Sequence, residues 1–503
     1  MSDWTHGYVT DIEYTSNFYP ELAPILMHFN ALSKNVVLPK ASSVFNWLEI
    51  GCGNGLSTNA LAACNSQSEF YAFDFNPVHV LNAQRMADEA GLKNVHFFDD
   101  SFADALQRDL PMMDFIVLHG IYSWVSKENQ SLIVQLVQKL LKPGGAVYIS
   151  YNCLPGWSGK APLRHLMTQF AVRTGGPVAD KVRAAKQFVN ELQGLNLSYF
   201  KDNPSAKKMA ERLQAHDAHY MAHEYMNADW NLFYSSDIAA DLNSAKLSFA
   251  CSAGLLENAD ELGLSKETIQ RIAQESDPTM RELLKDFAKN QQFRRDIFVK
   301  GKRKYAPVEV EKIARESHFT LFVPRSSCML TVQSSIGEII LPGEVYAPIL
   351  DALAQQPLSL SAISELMQAP LHSAINAIVV LSAVGYVHAI DIDPDLSATT
   401  CLSFNKIVVQ RALYGEPMAI LVASRLRTAV PVSEIDQFFI AAQWENASDL
   451  AGAVWQKMRS LGKSLMRDGQ AIKDEHENLI ELKQREIVFL KETMPLLKTW
   501  GVL

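Results

Sequence analysis

Apolar and polar positions form alternating blocks along the first 150 residues, and the period of each block separates strands from helices. Short apolar runs predict five strands, at residues 44–50, 70–75, 95–98, 115–119 and 146–151. Amphipathic spacing predicts helices at residues 57–63, 77–90 and 130–141. Strands that alternate with helices predict an α/β fold with a doubly wound parallel sheet, which binds ligands at the carboxyl ends of its strands.

The pattern changes after the fifth strand. Residues 160–245 have mostly helical spacing and predict a helical cap. Residues 247–252 and 296–299 are apolar enough for an antiparallel strand pair, with a helical insertion at about 259–290 between them. Further on, helices at 345–355, at 361–367 with Ser361 as cap, and at 372–384 precede a short strand at 386–390. This order resembles a winged helix.

The C-terminal region is predicted to be helical. One stripe of apolar residues has the spacing of a buried helix face, and a second amphipathic stretch runs over about 473–494. The stripe consists of Leu450, Val454, Met458, Leu461 and Leu465. These helices are consistent either with packing inside the chain or with a homodimer.

The composition narrows the functional classes. The chain has 503 residues, 48% of them apolar, and a net charge of −9. Residues 1–150 carry 15 acidic and 8 basic side chains, which disfavours a polyanion and suits a basic acceptor. No Lys or Arg occurs between Arg325 and Lys406, so the winged-helix-like part lacks side chains that neutralise phosphates, and we expect no DNA binding.

The cysteines, the first residues and the longest apolar run indicate the cellular compartment of the protein. The six cysteines are scattered without a Cys-x-x-Cys pair, which argues against a structural zinc site and against a disulfide scaffold. The first residues have no basic-then-apolar signal pattern. The longest apolar run, 374–390, contains polar residues and is expected to be a buried helix, so we expect no membrane insertion. We therefore predict a cytoplasmic protein.

The most informative segment is Leu48-Glu49-Ile50-Gly51-Cys52-Gly53-Asn54-Gly55. It places an acid one residue before Gly-x-Gly-x-Gly, at the end of the first predicted strand. Glycines allow a tight turn and a close approach of backbone to a ligand. The spacing differs from the pyrophosphate-binding Gly-x-Gly-x-x-Gly, whose third glycine falls one position later.

This segment resembles the first strand and turn of a class I S-adenosylmethionine (SAM) methyltransferase. The resemblance implies that Glu49 and the turn, with Gly51, Cys52, Gly53 and Gly55, hold the methionine moiety of SAM. It implies that Asp74, at the end of the second strand, holds the ribose diol, with Phe75 on the adenine face. The resemblance further implies that the segment after the third strand contacts the edge of the adenine. Asp100 or Ser101, followed by Phe102, occupies that place, although Asp99 and Asp100 also fit a solvated strand end.

Further segments resemble a narrower family, the bacterial class I methyltransferases with a C-terminal methyltransferase regulatory domain. That family includes protein-lysine methyltransferases that act on bacterial outer-membrane proteins. The matching segments are His119-Gly-Ile-Tyr122-Ser-Trp124-Val125, Ser150-Tyr151-Asn152-Cys-Leu-Pro-Gly-Trp157, His223-Glu224-Tyr225-Met226-Asn227, Phe293-Arg-Arg-Asp-Ile-Phe298 and Tyr8-x-x-Asp11-x-x-Tyr14. The resemblance covers about residues 8–300. It departs from the family pattern at Glu13, where proline is frequent.

Aromatic residues dominate the segments after the fourth and fifth strands. Methyl transfer is an in-line displacement that requires an oriented acceptor and the exclusion of water. An aromatic channel desolvates a lysine ammonium and lowers its pKa, while the ring faces tolerate the cation. The predicted channel and catalytic residues are His119, Tyr122, Trp124, Tyr151, Asn152 and Trp157. Core packing is the alternative for Trp124 and Trp157, and His119 is a proton acceptor, a SAM contact or a backbone hydrogen-bonding partner.

Two other clusters have competing interpretations. His216, His219 and His223 have helical spacing and are followed by Glu224, but the motif is not His-Glu-x-x-His and SAM-dependent transfer needs no metal. We predict no metal site and place His223 and Glu224 in the cap or in a structural pair. The basic run at 300–304 is predicted to be a linker, with a polyanion patch as the alternative.

Together these observations predict three domains. Residues 1–301 form a seven-stranded, Rossmann-like methyltransferase domain with SAM as cofactor and S-adenosylhomocysteine as product. Residues 302–395 form a winged-helix-like regulatory domain, and residues 396–503 form an α/β to helical domain. The predicted activity is protein-lysine N-methylation with a protein substrate. The alternatives are a SAM-binding regulatory or scaffold protein and a small-molecule methyltransferase.

Overall fold

The computed structural model describes residues 17–214, 221, 225–227, 229–334, 337–393, 396–467 and 469–503. Its centre is a seven-stranded sheet. The strands are β1 Asn46–Ile50, β2 Glu69–Asp74, β3 Val95–Asp99, β4 Met113–Leu118, β5 Leu141–Asn152, β6 Leu247–Ser252 and β7 Phe293–Lys300. Val44, which the apolar pattern assigned to the first strand, lies before β1 and is 70% exposed.

The order of the strands in the sheet is β3-β2-β1-β4-β5-β7-β6. Strands β1 to β5 pair in parallel, and β7 runs antiparallel to both β5 and β6. The predicted seven-stranded, mostly parallel sheet is thus confirmed, including its antiparallel closing pair. Because the sheet is covered on both faces, its central strands are nearly continuous apolar runs, which explains why the sequence pattern identified them.

Helices cover both faces of this sheet. Five helices lie between Pro24 and the start of β5: Pro24–Ser33, Leu56–Cys64, Pro77–Ala90, Phe102–Gln107 and Lys127–Leu140. The helix Pro77–Ala90 has the predicted bounds because Asn76 caps its first turn through Val78 N–H and Gly91 ends it with a positive φ. The helices Pro24–Ser33 and Phe102–Gln107 were not predicted.

The cap and the insertion are helical, as the spacing predicted. The cap consists of Ala161–Arg173, Val178–Gly194, Ser198–Asp202, Pro204–Leu213 and Ser235–Ser244. The insertion between β6 and β7 consists of Leu255–Asn258, Lys266–Ala273 and Pro278–Lys289. The cap has a hydrophobic cluster of its own, which includes Trp157, Leu163 and Phe200.

Residues 302–393 contain a three-stranded antiparallel sheet and four helices. The strands are ordered Leu358–Ser359, His318–Leu321 and Val387–Ile390, and the helices are Pro307–Glu316, Gly343–Leu353, Leu360–Met367 and Leu371–Ala383. A two-stranded ribbon joins Thr331–Ser334 to Gly337–Ile340. Ser359, and not the predicted Ser361, caps the second winged-helix-like helix by accepting from Ala362 N–H at 3.1 Å.

The C-terminal region packs against the helices of the main sheet. Its helices are Ala398–Leu413, Glu434–Trp444, Leu450–Ser460, Glu475–Val488 and Met494–Trp500, with a π-helical turn at Phe489–Thr493. Short strands pair Ile420–Ala423 with Thr428–Pro431 and Met466–Arg467 with Gln470–Ala471. The Cys64 thiol lies 3.3 Å from Thr428 O, and the Cys401 thiol lies 3.3 Å from Ala63 O. Helices of the two regions therefore share one core.

The apolar stripe that begins at Leu450 contacts this shared core. Val454, Met458 and Leu465 are buried in it, and Leu450 and Leu461 pack against it. The stripe therefore packs inside the chain.

Among the described residues, no single helix has the length and apolar character to span a membrane. The helices Leu360–Met367 and Leu371–Ala383 meet that test only as a pair, and a bend of 106° separates them.

Candidate functional site

A cavity of about 270 Å³ opens at the carboxyl ends of β1 to β4. Every parallel strand of a doubly wound sheet delivers its following loop to this edge, so residues far apart in sequence meet there. The lining contains all the residues that the sequence assigned to SAM: Glu49, Gly51, Cys52, Gly53, Gly55, Asp74, Phe75, Asp100, Ser101, Phe102 and His119.

The glycine turn after β1 has a backbone that only glycine adopts easily. Gly51, Gly53 and Gly55 have φ angles of +73°, +52° and +68°. A Cβ on Gly51 would lie 2.4 Å from Ile121 Cδ1, and a Cβ on Gly55 would lie 2.4 Å from Ala83 Cβ. The turn is therefore both left-handed and packed. Its N–H groups are hydrogen-bonded inside the fold, those of Gly51 and Cys52 to Phe73 O and that of Gly53 to the Asp74 carboxylate.

Glu49 is buried at the end of β1 and is only 4% exposed. The Thr58 hydroxyl donates a hydrogen bond to its carboxyl Oε2. Burial raises the pKa of Glu49 to about 8, against the opposing effect of the Thr58 bond, and the charge of Asp74 adds to the rise. A cation bound beside this carboxyl would favour its ionised form.

Asp74 holds two turns together at the end of β2. Its Oδ2 accepts from Gly53 N–H at 2.9 Å, and its Oδ1 accepts from Asn76 N–H at 3.0 Å. His79 Nδ1 lies 3.2 Å from the same Oδ1. The carboxylate therefore positions the glycine turn as well as lining the cavity.

The segment after β3 supplies one wall. Asp100 is 6% exposed and receives two hydrogen bonds from the Arg108 guanidinium, at 2.6 and 2.7 Å. Ser101 caps the following helix by accepting from Asp104 N–H, and the ring of Phe102 stands edge-on to Phe73. Asp100 is thus paired with Arg108, and not the solvated strand end that was the alternative interpretation.

His119 follows β4 between two tyrosines. Its ring stacks on Tyr19 with 3.6 Å between centroids, and its Nδ1 lies 2.7 Å from the Tyr148 hydroxyl. Burial lowers the pKa of His119 to about 4, opposed by the charge of Glu21 and assisted by that of Arg295. The imidazole is therefore neutral at physiological pH.

The structure separates the predicted channel residues. Trp124 lines the cavity, is 8% exposed, and has a buried Nε1 without a hydrogen-bond partner among the described residues. Tyr122 does not line it, because its ring is 1% exposed and its hydroxyl donates to Asp241 at 2.9 Å. Tyr122 was predicted to form part of the channel wall, and it packs in the core instead.

Three other residues of the predicted channel also lie away from this cavity. The Tyr151 hydroxyl donates to Asp296 at 2.6 Å, inside the sheet. Asn152 is 2% exposed, and its backbone N–H donates to Ser123 Oγ. Trp157 packs edge-on against Trp230 in the cap, with 5.0 Å between ring centroids. Core packing, the alternative for the tryptophans, therefore describes Trp157 and not Trp124.

Several lining residues were not identified from the sequence: Asn17, Tyr19, His79, Ser126, Glu128, Asn129 and Asp229. Ser126 to Asn129 lie at the end of the connection from β4 to the helix Lys127–Leu140, so the rule that loops after parallel strands build the site was the available signal. Tyr19 and Asp229 had no such signal, because they reach the cavity from before β1 and from the end of the cap.

The lining has a marked charge asymmetry. It contains five carboxyl groups, those of Glu49, Asp74, Asp100, Glu128 and Asp229. It contains no Lys or Arg among the described residues, and its basic groups are the two imidazoles of His79 and His119. Asp100 is neutralised by Arg108, and Glu49 has a raised pKa, so the negative charge rests mainly on Asp74, Glu128 and Asp229. Such a cavity favours cationic over anionic ligands.

Within the described part of the chain, no group of three or more His, Cys, Asp or Glu side chains has the arrangement of a metal site. His216, His219, His223 and Glu224 lie outside the described residues, as do Tyr8, Asp11, Glu13 and Tyr14.

Comparison with known proteins adds two family matches. A model described as "Methyltransferase domain" matches residues 42–226, and one described as "Predicted methyltransferase regulatory domain" matches residues 217–300. The second match includes β6, the helical insertion and β7, which belong to the main sheet. The regulatory-domain match thus precedes residues 302–395, to which the sequence had assigned that name.

Relatives cover the whole chain. An uncharacterized protein of Synechocystis sp., sll1526, is 38% identical over 99% of both chains. PKMT2 of Rickettsia typhi, solved alone and in complex with AdoHcy, has the same fold, with a TM-score of 0.70, 18% identity and coverage of 95% of this chain and 98% of that one. O-methyltransferase 3 of Dictyostelium discoideum is 31% identical over 107 residues, which are 20% of this chain and 24% of the relative.

Proposed function

This chain belongs to the SAM-dependent methyltransferases that carry a methyltransferase regulatory domain, and from that premise we propose that its acceptor is the side-chain amine of protein lysine. One observation carries the proposal: the cavity is lined by five carboxyl groups and, among the described residues, by no Lys or Arg. This lining suits a cationic cofactor and a cationic acceptor, and it opposes a phosphate-bearing acceptor such as RNA.

The cavity residues fit SAM by their donor set and their shape. Glu49 is buried with a raised pKa, so a bound ammonium group would compensate the cost of its charge. The packed glycine turn keeps side chains out of the cavity at Gly51 and Gly55, where a Cβ would clash, so a ligand can approach its backbone closely. We assign the methionine end to Glu49 and Gly51–Gly55, the ribose to Asp74, and the adenine to Phe75 and Asp100–Phe102.

The acceptor side is assigned to Tyr19, His119 and Trp124. SAM supplies an electrophilic methyl group on a sulfonium. The stacked rings of Tyr19 and His119 and the indole of Trp124 exclude water from an approaching amine, which lowers its pKa. His119 Nδ1 is held by Tyr148, and the neutral ring adds no positive charge that would repel the amine.

The choice of protein over a small molecule rests on the family resemblance of residues 8–300 and on the size of the chain beyond the sheet. Residues 302–503 contribute no side chain to the described lining of the cavity. Residues 396–503 share a core with one face of the sheet, and residues 302–393 form most of a separate core. A large accessory region of this kind suits recognition of a macromolecular acceptor.

The decisive experiment uses SAM with a radiolabelled methyl group, the purified full chain and a lysate of its host cells. Asp74→Ala serves as the paired inactive control. We expect label in discrete protein bands that protease removes and nuclease does not, with N-methyl-lysine after acid hydrolysis. Label confined to the low-mass fraction, or released as an O-methyl ester or ether, would contradict the lysine acceptor while leaving SAM-dependent transfer intact.

A further inference from the structure

A second cavity, of about 640 Å³, lies between the helical insertion and the β6–β7 edge of the sheet. Its described lining has eight basic side chains: Lys34, Arg281, Lys285, Lys289, Arg294, Arg295, Lys302 and Lys304. It has four acidic ones, Glu257, Asp260, Glu282 and Asp286. Two further carboxylates, Glu21 and Asp296, contact the lining arginines from outside, so the cavity carries an excess of two positive charges in a chain whose net charge is −9.

Three of the basic groups are neutralised within the fold. Lys285 pairs with Asp260 at 3.1 Å. Arg294 contacts Asp286 at 2.6 Å and Asp296 at 2.9 Å. Arg295 bridges Glu21 and Glu257, at 3.1 and 3.2 Å. Glu282 contacts both Lys285 and Arg294, so all four lining carboxyl groups are engaged in ion pairs with these three residues.

The other five basic groups have no carboxylate within ion-pair distance in the described part of the chain. Lys34 donates to Asn258 O at 2.7 Å, Lys302 donates to Phe249 O at 2.8 Å, and Arg281 donates to a backbone carbonyl. The side chains of Lys289 and Lys304 make no hydrogen bond or ion pair within the described residues, and Lys304 pairs with Val36 through its backbone alone. The excess charge is thus concentrated on side chains that the fold does not use for pairing.

Burial raises the cost chiefly of one of these five charges, because Lys34, Arg281, Lys302 and Lys304 are exposed and only Lys289 is half-buried. Lys289 is half-buried, and burial lowers the pKa of its ammonium despite nearby carboxylates. Burial likewise lowers the pKa of Lys302. A bound anion would offset this cost, because the half-buried ammonium of Lys289 would gain an opposite charge, and the exposed amines around it would add charge-assisted contacts.

We propose that this cationic cavity binds a small anion with a pyrophosphate group, either free pyrophosphate or a nucleoside diphosphate. A pyrophosphate has several negative charges, which the five basic side chains without a carboxylate partner can contact, and the cavity volume lies within the range of about 300–1,000 Å³ typical of small-molecule sites. Most lining residues fall within 217–300, the segment matched by the regulatory-domain model.

Arg295 connects this cavity to the methyl-transfer cavity. It lines the cationic cavity, pairs with Glu257 there, and on its other side pairs with Glu21. Glu21 and Arg295 both act on the charge state of His119, which lines the first cavity. An anion that competes for Arg295 would therefore shift Glu21 relative to His119 and change SAM affinity.

The test is isothermal titration calorimetry of the full chain with sodium pyrophosphate, and separately with ADP, at constant ionic strength. We expect Lys289→Glu and the exposed Lys304→Glu each to weaken pyrophosphate binding at least about tenfold, as loss of a charge-assisted contact requires. Lys289→Arg should retain binding. Lys266→Glu is the matched control, since Lys266 is exposed on the same insertion and does not line the cavity.

Equal affinity for pyrophosphate and ADP would identify free pyrophosphate as sufficient, and tighter ADP binding would identify a nucleotide; both support the site. No binding by the wild type, or equal weakening by Lys266→Glu, would overturn it. Saturating pyrophosphate should change SAM affinity at least about fivefold, and unchanged SAM affinity would overturn the coupling. Because these titrations need no methyl acceptor, their failure is independent of the lysine assignment.

Discussion

The imidazole of His119 lies flat on the phenol ring of Tyr19, with 3.6 Å between ring centroids and 24° between ring planes. On its far side, the ring faces Tyr148, which is fully buried and holds His119 Nδ1. Two tyrosines from distant parts of the chain thus fix the orientation of one imidazole at the cavity, and burial lowers its pKa to about 4. The hydrogen bond of Tyr148 uses one ring nitrogen and leaves Nε2 for a ligand.

Tyr148→Phe removes the hydroxyl partner of His119 and keeps the buried ring. We expect turnover to fall about tenfold, which corresponds to the loss of one buried hydrogen bond of about 1.4 kcal/mol. SAM affinity should change by less than about twofold, because the hydroxyl does not line the cavity. Steady-state kinetics and SAM titration together measure this split. A parallel fall in SAM affinity would show that His119 mainly contacts the cofactor.

Asp74→Ala should abolish SAM binding for two reasons. The substitution removes the carboxylate assigned to the ribose diol, and it removes the acceptor for Gly53 N–H, which holds the glycine turn. We expect no detectable SAM binding by calorimetry at concentrations that saturate the wild type, with the circular dichroism spectrum preserved.

Asp99→Asn is the matched control for Asp74→Ala. Asp99 ends the neighbouring strand and is exposed, and it is absent from the lining of the cavity. Its substitution should leave SAM affinity unchanged. Near-wild-type SAM affinity in Asp74→Ala would remove Asp74 from the cofactor site.

The sequence predicted the sheet well because each strand is recognisable locally. Strands buried on both faces are apolar runs, and the end of β1 is marked by its acid and its glycines. Helix Pro77–Ala90 carried its own start and stop signals in Asn76 and Gly91. The helix Phe102–Gln107 was missed because its six residues are too short for a periodic pattern.

The sequence could not predict which aromatic residues line the cavity and which pack in a core, because this depends on partners far away in the chain. Tyr122 and Trp124 share one short helical turn, yet Tyr122 reaches Asp241, 119 residues away, while Trp124 lines the cavity. Trp157 joins the core of the cap through Trp230. No spacing in the sequence encodes either choice. The partner of Asp100 was easier to predict from the sequence, because Arg108 lies at the other end of one short helix.

Glu49 should make the stability of the folded chain depend on pH. The pKa of the Glu49 carboxyl is about 8 in the folded chain, against 4.5 for a glutamate side chain in the unfolded chain. Between these two pH values the folded chain holds a proton that the unfolded chain has released. Stability therefore falls as pH rises through this window. We expect Glu49→Gln to gain in Tm relative to the wild type as pH is raised from 5 towards about 8, measured by thermal unfolding without ligand.

Glu211→Gln, on the exposed surface of the cap, is the control for Glu49→Gln. The difference in Tm between this variant and the wild type should be the same at every pH. If Glu49→Gln behaves in the same way, the carboxyl of Glu49 is ionised in the free protein, and the proposed compensation by a bound ammonium loses its basis.

Trp124 and Trp157 offer a matched pair, since both are buried tryptophans with an unpartnered Nε1 among the described residues, in adjacent loops of the sheet edge. Only Trp124 lines the cavity. Trp124→Phe should lower turnover about tenfold with little change in Tm. The smaller ring widens the cavity at the wall that orients and desolvates the amine. Trp157→Phe should lower stability by about 1–2 kcal/mol through loss of its contact with Trp230, with turnover close to the wild type.

Turnover and melting temperature measured on both variants separate the two roles. The opposite assignment, with activity lost in Trp157→Phe and retained in Trp124→Phe, would place the acceptor channel on the cap side of β5 and remove Trp124 from it.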